Sequence, residues 1–349
     1  MTNNELELWH FGRPAVKGME ALAVRCEELG YDGLTLTDSQ NLATDTYVSL
    51  AMAARVTSKL LLGPGVTNPL TRHAAVTAGA IASVQELSEG RAVLGIGRGD
   101  SSLFNIGHKP VAPAVFERYV ADVQTYLRGE SLDAAGYDSQ LRWLASATAG
   151  KVPVDVAATG PKVIAMGARL CERVSFSLGS DPERVAWGID HVRASVGTEL
   201  PMPSLGLYVN VCVHDDIEAA AELVRPGVGI FAHFTGMPGA TRDRVSTTDQ
   251  AVFDRLGDYD KARHGSGDAA HAQAMPISFI ERFAVIGPAQ RCIEKLTALR
   301  DLGIDRMVII GPRQDQFGAE ADAAQQRFAQ QVIPALKQTP RPKFHSRKA

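Results

Sequence analysis

Two threonines, an asparagine, an arginine and a histidine crowd into a single turn of the chain, G-P-G-V-T-N-P-L-T-R-H from Gly63 to His73. A plain connection needs only one or two turn residues. The apolar run before it, Lys59-Leu60-Leu61-Leu62, reads as a buried strand, yet it ends on Gly-Pro-Gly, residues poorly suited to a hydrogen-bonded ladder. This combination is expected to hold an unusual backbone against a ligand.

Three further stretches carry chemistry. Asp38 ends an apolar strand in L-T-L-T-D-S-Q-N; a carboxylate there either faces a site or caps the Asn41–Asp45 region. R-A-V-L-G-I-G-R-G-D, Arg91 to Asp100, is a buried strand opening into glycines. Its alternating Gly95, Gly97 and Gly99 do not form the dinucleotide fingerprint. They indicate close approach of a flat ligand or of another backbone, and Asp100 follows at the strand's exit. A-A-T-G-P-K, Ala157 to Lys162, ends a strand and starts a helix with proline in its first turn. Free N–H groups there, with the Thr159 hydroxyl and the Lys162 ammonium, suit a phosphate, so Thr159, Gly160, Pro161 and Lys162 form a candidate anion site. Gly179 and Ser180 could add donors, and Asp181 is expected to cap a helix starting at Pro182. The histidines lack metal-ligand spacing, and no metal site is expected. No G-x-S-x-G or Walker loop occurs, which removes support for hydrolase and nucleotide triphosphatase readings. His10, on the first strand, has a plausible chemical position, although a core histidine fits equally.

The elements that must position these residues alternate. Candidate strands are Leu6–Phe11, Gly33–Thr37, Leu60–Gly65, Ala92–Gly97, Val152–Ala158, Arg173–Leu178, Leu205–Val213 and Arg306–Ile310. Between them lie helical patterns at Val16–Leu29, Tyr47–Val56, Ala74–Leu87, Val115–Leu127, Lys162–Arg169 and Pro288–Leu302. Eight such units predict an α/β fold, a (β/α)₈ TIM barrel with insertions after strands 4 and 7. A doubly wound sheet is the alternative that the number of units disfavours. The insertions are about 128–150 and 233–278, in one domain spanning 1–349, and a Pro-rich basic tail covers 338–349. Loops after barrel strands carry active sites, so insertions are expected as lids or substrate walls.

Composition narrows the partners. The 349 residues carry 36 Lys plus Arg against 39 Asp plus Glu, and 45% are apolar. That balance, with no basic block, points away from nucleic acid. The N-terminus lacks a signal-peptide layout, and no apolar run is long enough to span a membrane. Cys26, Cys171, Cys212 and Cys292 are far apart and are expected as reduced core residues of a cytoplasmic protein.

Together, G-P-G-V-T-N-P-L-T-R-H and A-V-T-A-G-A-I-A-S-V-Q-E-L-S-E-G-R-A-V-L-G-I-G-R-G-D resemble the bacterial-luciferase-like superfamily, most of all its methylenetetrahydromethanopterin reductase branch. A-T-G-P-K and the later F-A-V-I-G-P-A-Q-R-C-I-E-K-L are similar to the same family, and the likeness runs from about Leu22 to Gly311. The resemblance implies a barrel that binds coenzyme F-420 (a 5-deazaflavin) or FMN at the carboxyl ends of its strands. It implies a cis peptide at Gly65–Val66 forming a bulge behind the ring, with Thr67 and Asn68 at the ring edge and the phosphate at A-T-G-P-K. Asp38, Gly97 and Gly99 would line the same cofactor site. Many relatives have Asp-His where this chain has Asp38-Ser39, so His10, His108 and Asp100 are the candidates for acid–base work. The implied activity is hydride transfer from reduced deazaflavin to a small-molecule substrate. The alternatives are an FMN monooxygenase served by a separate flavin reductase, or a catalytically silent flavin binder. A homo-oligomer, dimer or tetramer, is expected.

Overall fold

The structure, a computed structural model, describes residues 6–237, 242–256 and 259–338; the expected tail lies, apart from Gln338, outside the described residues. Its strands are β1 (Glu7–Gly12), β2 (Gly33–Leu36), β3 (Leu61–Pro64), β4 (Leu94–Ile96), β5 (Leu132–Ala134), β6 (Tyr137–Ser139), β7 (Val154–Ala158), β8 (Arg173–Phe176), β9 (Ser204–Val213), β10 (Val285–Gly287) and β11 (Arg306–Ile310). Eight of them pair in parallel in the order β3-β2-β1-β11-β9-β8-β7-β4. Bridges at Leu62–Ala92 and Thr67–Ile96 bring β3 to β4 and complete the circuit. These eight coincide with the eight expected strands, and the fold is the expected α/β barrel.

Strand periodicity divides the side chains into two layers. Leu8, Leu34, Leu36, Leu62, Ile96, Val154, Val174, Leu207 and Ile309 pack outward against the surrounding helices. Trp9, Val93, Tyr208, Cys212, Val308 and Ile310 form a second, inward cluster. The helix Met19–Glu28 shows the outer layer's logic, since Met19, Ala23 and Cys26 recur at helical spacing on its buried face. Inside, a Cβ on Gly33 would overlap the Trp9 indole. The large ring therefore fills the barrel only because its neighbour has no side chain.

The amino-terminal end of the barrel is plugged by charge. Arg306, 1% exposed, donates to Asp155 Oδ2 at 2.9 Å and to Ser175 Oγ at 3.0 Å, and Ser175 donates to the same carboxylate at 2.8 Å. Arg173 pairs with Glu7 at 2.9 Å, and the Trp9 indole N–H donates to Glu7 at 2.9 Å. With this floor closed, a ligand enters from the carboxyl ends of the strands.

The two insertions lie at different ends. Residues 128–150 follow the helix Pro113–Leu127 and form the β5–β6 hairpin and a short 3₁₀ turn. They bind the far end of the helix Ala74–Leu87: Thr148 N and Ala149 N donate to Glu86, and Gln85 donates to Ala149 O. Helices run back from the mouth, so this insertion belongs to the floor and forms no lid. The second insertion begins inside the helix Ile217–Gly236 and continues through helices Thr247–Leu256, Ala270–Gln273 and Ile277–Phe283 to β10, which pairs with the end of β9. Among the described residues, no helix is long and apolar enough to cross a membrane. All four cysteines are buried and unbridged.

Candidate active site

The turn that opened the sequence reading is gripped on both sides. Gly65–Val66 is a cis peptide bond, as the resemblance implied. Gly65 N donates to Leu36 O of β2 at 2.7 Å; Thr67 N donates to Gly95 O at 3.0 Å, and Gly97 N to Thr67 O at 2.9 Å. Asp38, 4% exposed, is the fastener: it accepts Thr67 Oγ1 at 2.7 Å, Arg72 Nη1 at 2.5 Å and Gln40 Nε2 at 2.8 Å. Arg72 also reaches Asp45 at 2.9 Å and lies over the Tyr47 ring. Asp38 thus shapes the site by holding the bulge and does not cap Asn41–Asp45; that helix start is capped by Asp45 itself.

The alternating glycines have packing reasons. A Cβ on Gly63 would overlap Val93 O, and one on Gly95 would overlap Pro64 O, because the β3 and β4 backbones nearly touch. On Gly97 it would press on Val66 Cγ2 at 2.9 Å; Gly99 has φ +83° and abuts Leu103 and Asn68. Of the two readings left open for these glycines, another backbone accounts for Gly95, and the bulge's own side chain crowds Gly97.

Among the described residues, Asn68 and Ser177 near the mouth each carry a polar atom without a hydrogen-bond partner. Asn68, 1% exposed, accepts Leu70 N and Thr71 N on Oδ1, but its Nδ2 has no partner. Ser177, 6% exposed, follows β8 on the inward parity, and its Oγ is unpartnered too. Leaving such groups dry and unpaired costs roughly 1–3 kcal/mol each, so they suit a ligand with a polar edge. The helix Pro161–Leu170 starts without a side-chain cap; Gly160 faces open space and Lys162 is exposed. That arrangement suits a phosphate at the helix start.

Other candidates are placed elsewhere. Ser180 N donates to Phe283 O and Ser180 Oγ to Arg282 O, both at 2.9 Å, while Gly179 packs on the Phe283 ring. The Ser180 donors are thus spent on the helix Ile277–Phe283, against which Gly179 packs. Asp181 caps the helix Pro182–Val196 as expected, accepting Glu183 N and Arg184 N. His10 lies on the outward parity of β1, against Tyr31 and Gln325, since its neighbours Trp9 and Phe11 point in. His108 is exposed on the loop after β4. His10 is thus turned away from the barrel interior, whereas His108 shares the loop that carries Asp100.

What the sequence reading missed comes down from the second insertion. Phe231, two residues before that insertion, packs with Phe11 and Tyr208, centroids 5.8 Å from each. His233, 4% exposed, places Nε2 3.4 Å from Asp100 Oδ2 and stacks on Tyr259 at 4.2 Å. The Tyr259 hydroxyl meets His264 Nδ1 at 2.8 Å, and His271 lies against the same ring. Burial pushes the His264 imidazole down to about 4 and raises the Tyr259 phenol. Arg313, after β11, donates to Gly265 O at 2.8 Å and ties the segment across the mouth. No spacing rule links Asp100 to His233; only the fold joins them.

Relatives share this architecture. A 5,10-methylenetetrahydromethanopterin reductase of Methanolobus tindarius is 27% identical over 299 residues, covering 83% of this chain and 90% of its own length. An F-420-dependent glucose-6-phosphate dehydrogenase of Microbacterium testaceum is 23% identical over 334 residues, 90% of this chain and 91% of its own. Among solved structures, the coenzyme F-420-dependent tetrahydromethanopterin reductase from Methanopyrus kandleri superposes with a TM-score of 0.72 at 21% identity, over 95% of this chain and all of that one. A type II Baeyer–Villiger monooxygenase from Pseudomonas putida, in complex with FMN, gives 0.65 at 14% identity, over 95% and 98%. The family model for luciferase-like monooxygenases matches residues 4–306. The chain therefore belongs to the luciferase-like monooxygenase family.

Proposed function

We propose that the protein is a coenzyme F-420-dependent oxidoreductase that reduces an electrophilic carbon, in a C=O or C=N group, of a small organic substrate. The observation that carries this reading is the turn Gly65–Asn68, held by Leu36, Gly95 and Asp38, with the unpartnered Asn68 amide on it and the uncapped helix start at Thr159–Lys162. Together they suit a flat polar ring joined to a phosphate. When bound, a reduced deazaflavin supplies a hydride. The protein's part is to seat the ring on Gly65–Asn68, hold the phosphate at Thr159–Lys162, and exclude water beneath the second insertion. Five relatives or neighbours named for F-420 support the deazaflavin. The FMN-bound neighbour supports the second reading, a monooxygenase.

Titrating the protein with oxidised F-420 and with FMN separates the two, followed by fluorescence. F-420 is expected to bind at least tenfold tighter, and Lys162→Ala to weaken it about tenfold or more, since a charge-assisted hydrogen bond contributes roughly 1.5–3 kcal/mol. Tighter binding of FMN sinks the proposal; undiminished F-420 binding by Lys162→Ala sinks the phosphate site alone. A panel of small ketones, aldehydes and cyclic imines then samples the substrate class.

A further inference from the structure

The contact between Asp100 and His233 joins two buried groups that no motif connects. Asp100 follows β4 and is 7% exposed; His233 comes from the helix Ile217–Gly236. The ring nitrogens of His233 both face oxygens: Nδ1 is hydrogen-bonded to Leu256 O at 3.3 Å, and Nε2, which makes no hydrogen bond, stands 3.4 Å from Asp100 Oδ2. A carbonyl oxygen only accepts. A neutral imidazole carries one N–H and serves one of these oxygens, so the pair is complete only with one proton more. Other titratable groups surround the pair: His264 and Tyr259 feel the Asp100 charge, and Asp260 acts on Tyr259 and His271. Tyr259 stacks on the ring and engages His264, His271 lies beyond Tyr259, and Arg313 is held by Gly265 O. Burial keeps His264 and His271 toward their neutral forms. Among the described residues, Asp100 is the anion paired with His233.

We infer that Asp100 and His233 hold one shared proton beneath the second insertion, as a carboxylate–imidazolium pair, and deliver it to the substrate's heteroatom. This rests on the hydride-transfer reading above. As the substrate carbon accepts a hydride, a C–H bond forms and the π pair of C=O or C=N moves to the heteroatom. The heteroatom takes the shared proton, forming O–H or N–H. The substrate gains the two electrons that the reduced deazaflavin loses, and the pair regains its proton from water. The proton rests on His233 Nε2 and passes to the substrate through the Asp100 carboxylate at the strand end, which takes it from the imidazolium as it gives it up. The imidazole missing after Asp38 is thus supplied from the roof of the barrel.

The test is nitrogen NMR of the full-length protein, labelled with ¹⁵N-histidine and recorded near neutral pH without added cofactor, the His233 signals being assigned by their loss in His233→Gln. Both ring nitrogens of His233 are expected to be protonated, and Asp100→Asn is expected to remove the Nε2 proton. A ring with a bare Nε2 in the parent protein overturns the inference, as does a doubly protonated ring that Asp100→Asn leaves unchanged. With whichever panel compound turns over fastest, His233→Gln should lower kcat about a hundredfold, the usual scale of acid–base catalysis, with KM within about threefold. An unchanged kcat overturns the catalytic role. F-420 titration is read separately: a protonated pair in a protein that does not bind F-420 ends the hydride reading while the pair itself stands.

Discussion

At Gly65 there is no room for a methyl group. A Cβ there would overlap Thr35 Oγ1, and Thr35 is itself 4% exposed on the inward side of β2. Overpacking of this kind typically costs about 1–3 kcal/mol. Gly65→Ala is therefore expected to lower the melting temperature and weaken cofactor binding together. Adding Thr35→Ala should recover part of both, because the closest remaining contact is then the residue-35 Cβ at 3.2 Å. A Gly65→Ala protein as stable as its parent would contradict this account of the bulge. The peculiarity of this turn was legible in the sequence because glycine and proline at a strand's end have few uses. The role of Asp38 was legible only in part. A carboxylate at a strand end announces a partner, but Arg72, Thr67 and Gln40 become its partners only once β2 and β3 pair. The outward turn of His10 followed from strand alternation with Trp9 and Phe11, a rule that fixes facing once the strand is accepted.

The second insertion was located by its polar, glycine-rich composition, but its contents were not legible. Its helices are short or interrupted, and the longest begins before it, so helical periodicity gives no frame in which His233 faces Asp100. Its acid sensitivity follows from the structure. Burial pushes His264 down to about 4 from an ordinary value of 6.5, and burial does the same to His10. Between those pH values the unfolded chain binds more protons than the folded one. Stability is thus complete above about pH 6.5 and is lost as pH falls toward 4. Denaturant unfolding at pH 7, 5.5 and 4.5 should show falling stability, and His264→Gln should flatten the decline. Equal stability at all three values would contradict burial of both imidazoles in neutral form.

At the scale of the whole molecule, the barrel was legible because eight apolar runs and their helices repeat one unit. The hairpin β5–β6 was not separable from a lid by sequence, since only the direction of the preceding helix places it at the floor. The charged plug of Arg306, Asp155, Ser175, Glu7 and Arg173 leaves the opposite end for chemistry. There lie the bulge after β3, the open helix start after β7, and Asp100 after β4 with His233 against it. The central claim, hydride transfer at that mouth, is tested most directly by anaerobic turnover. Reduced F-420 deuterated at its hydride-donating carbon is mixed with the protein and the carbonyl and imine panel under nitrogen. The account predicts oxidation of the cofactor without oxygen and deuterium on the product carbon. Cofactor oxidation that requires oxygen, with an oxygen atom incorporated into the product, would contradict it.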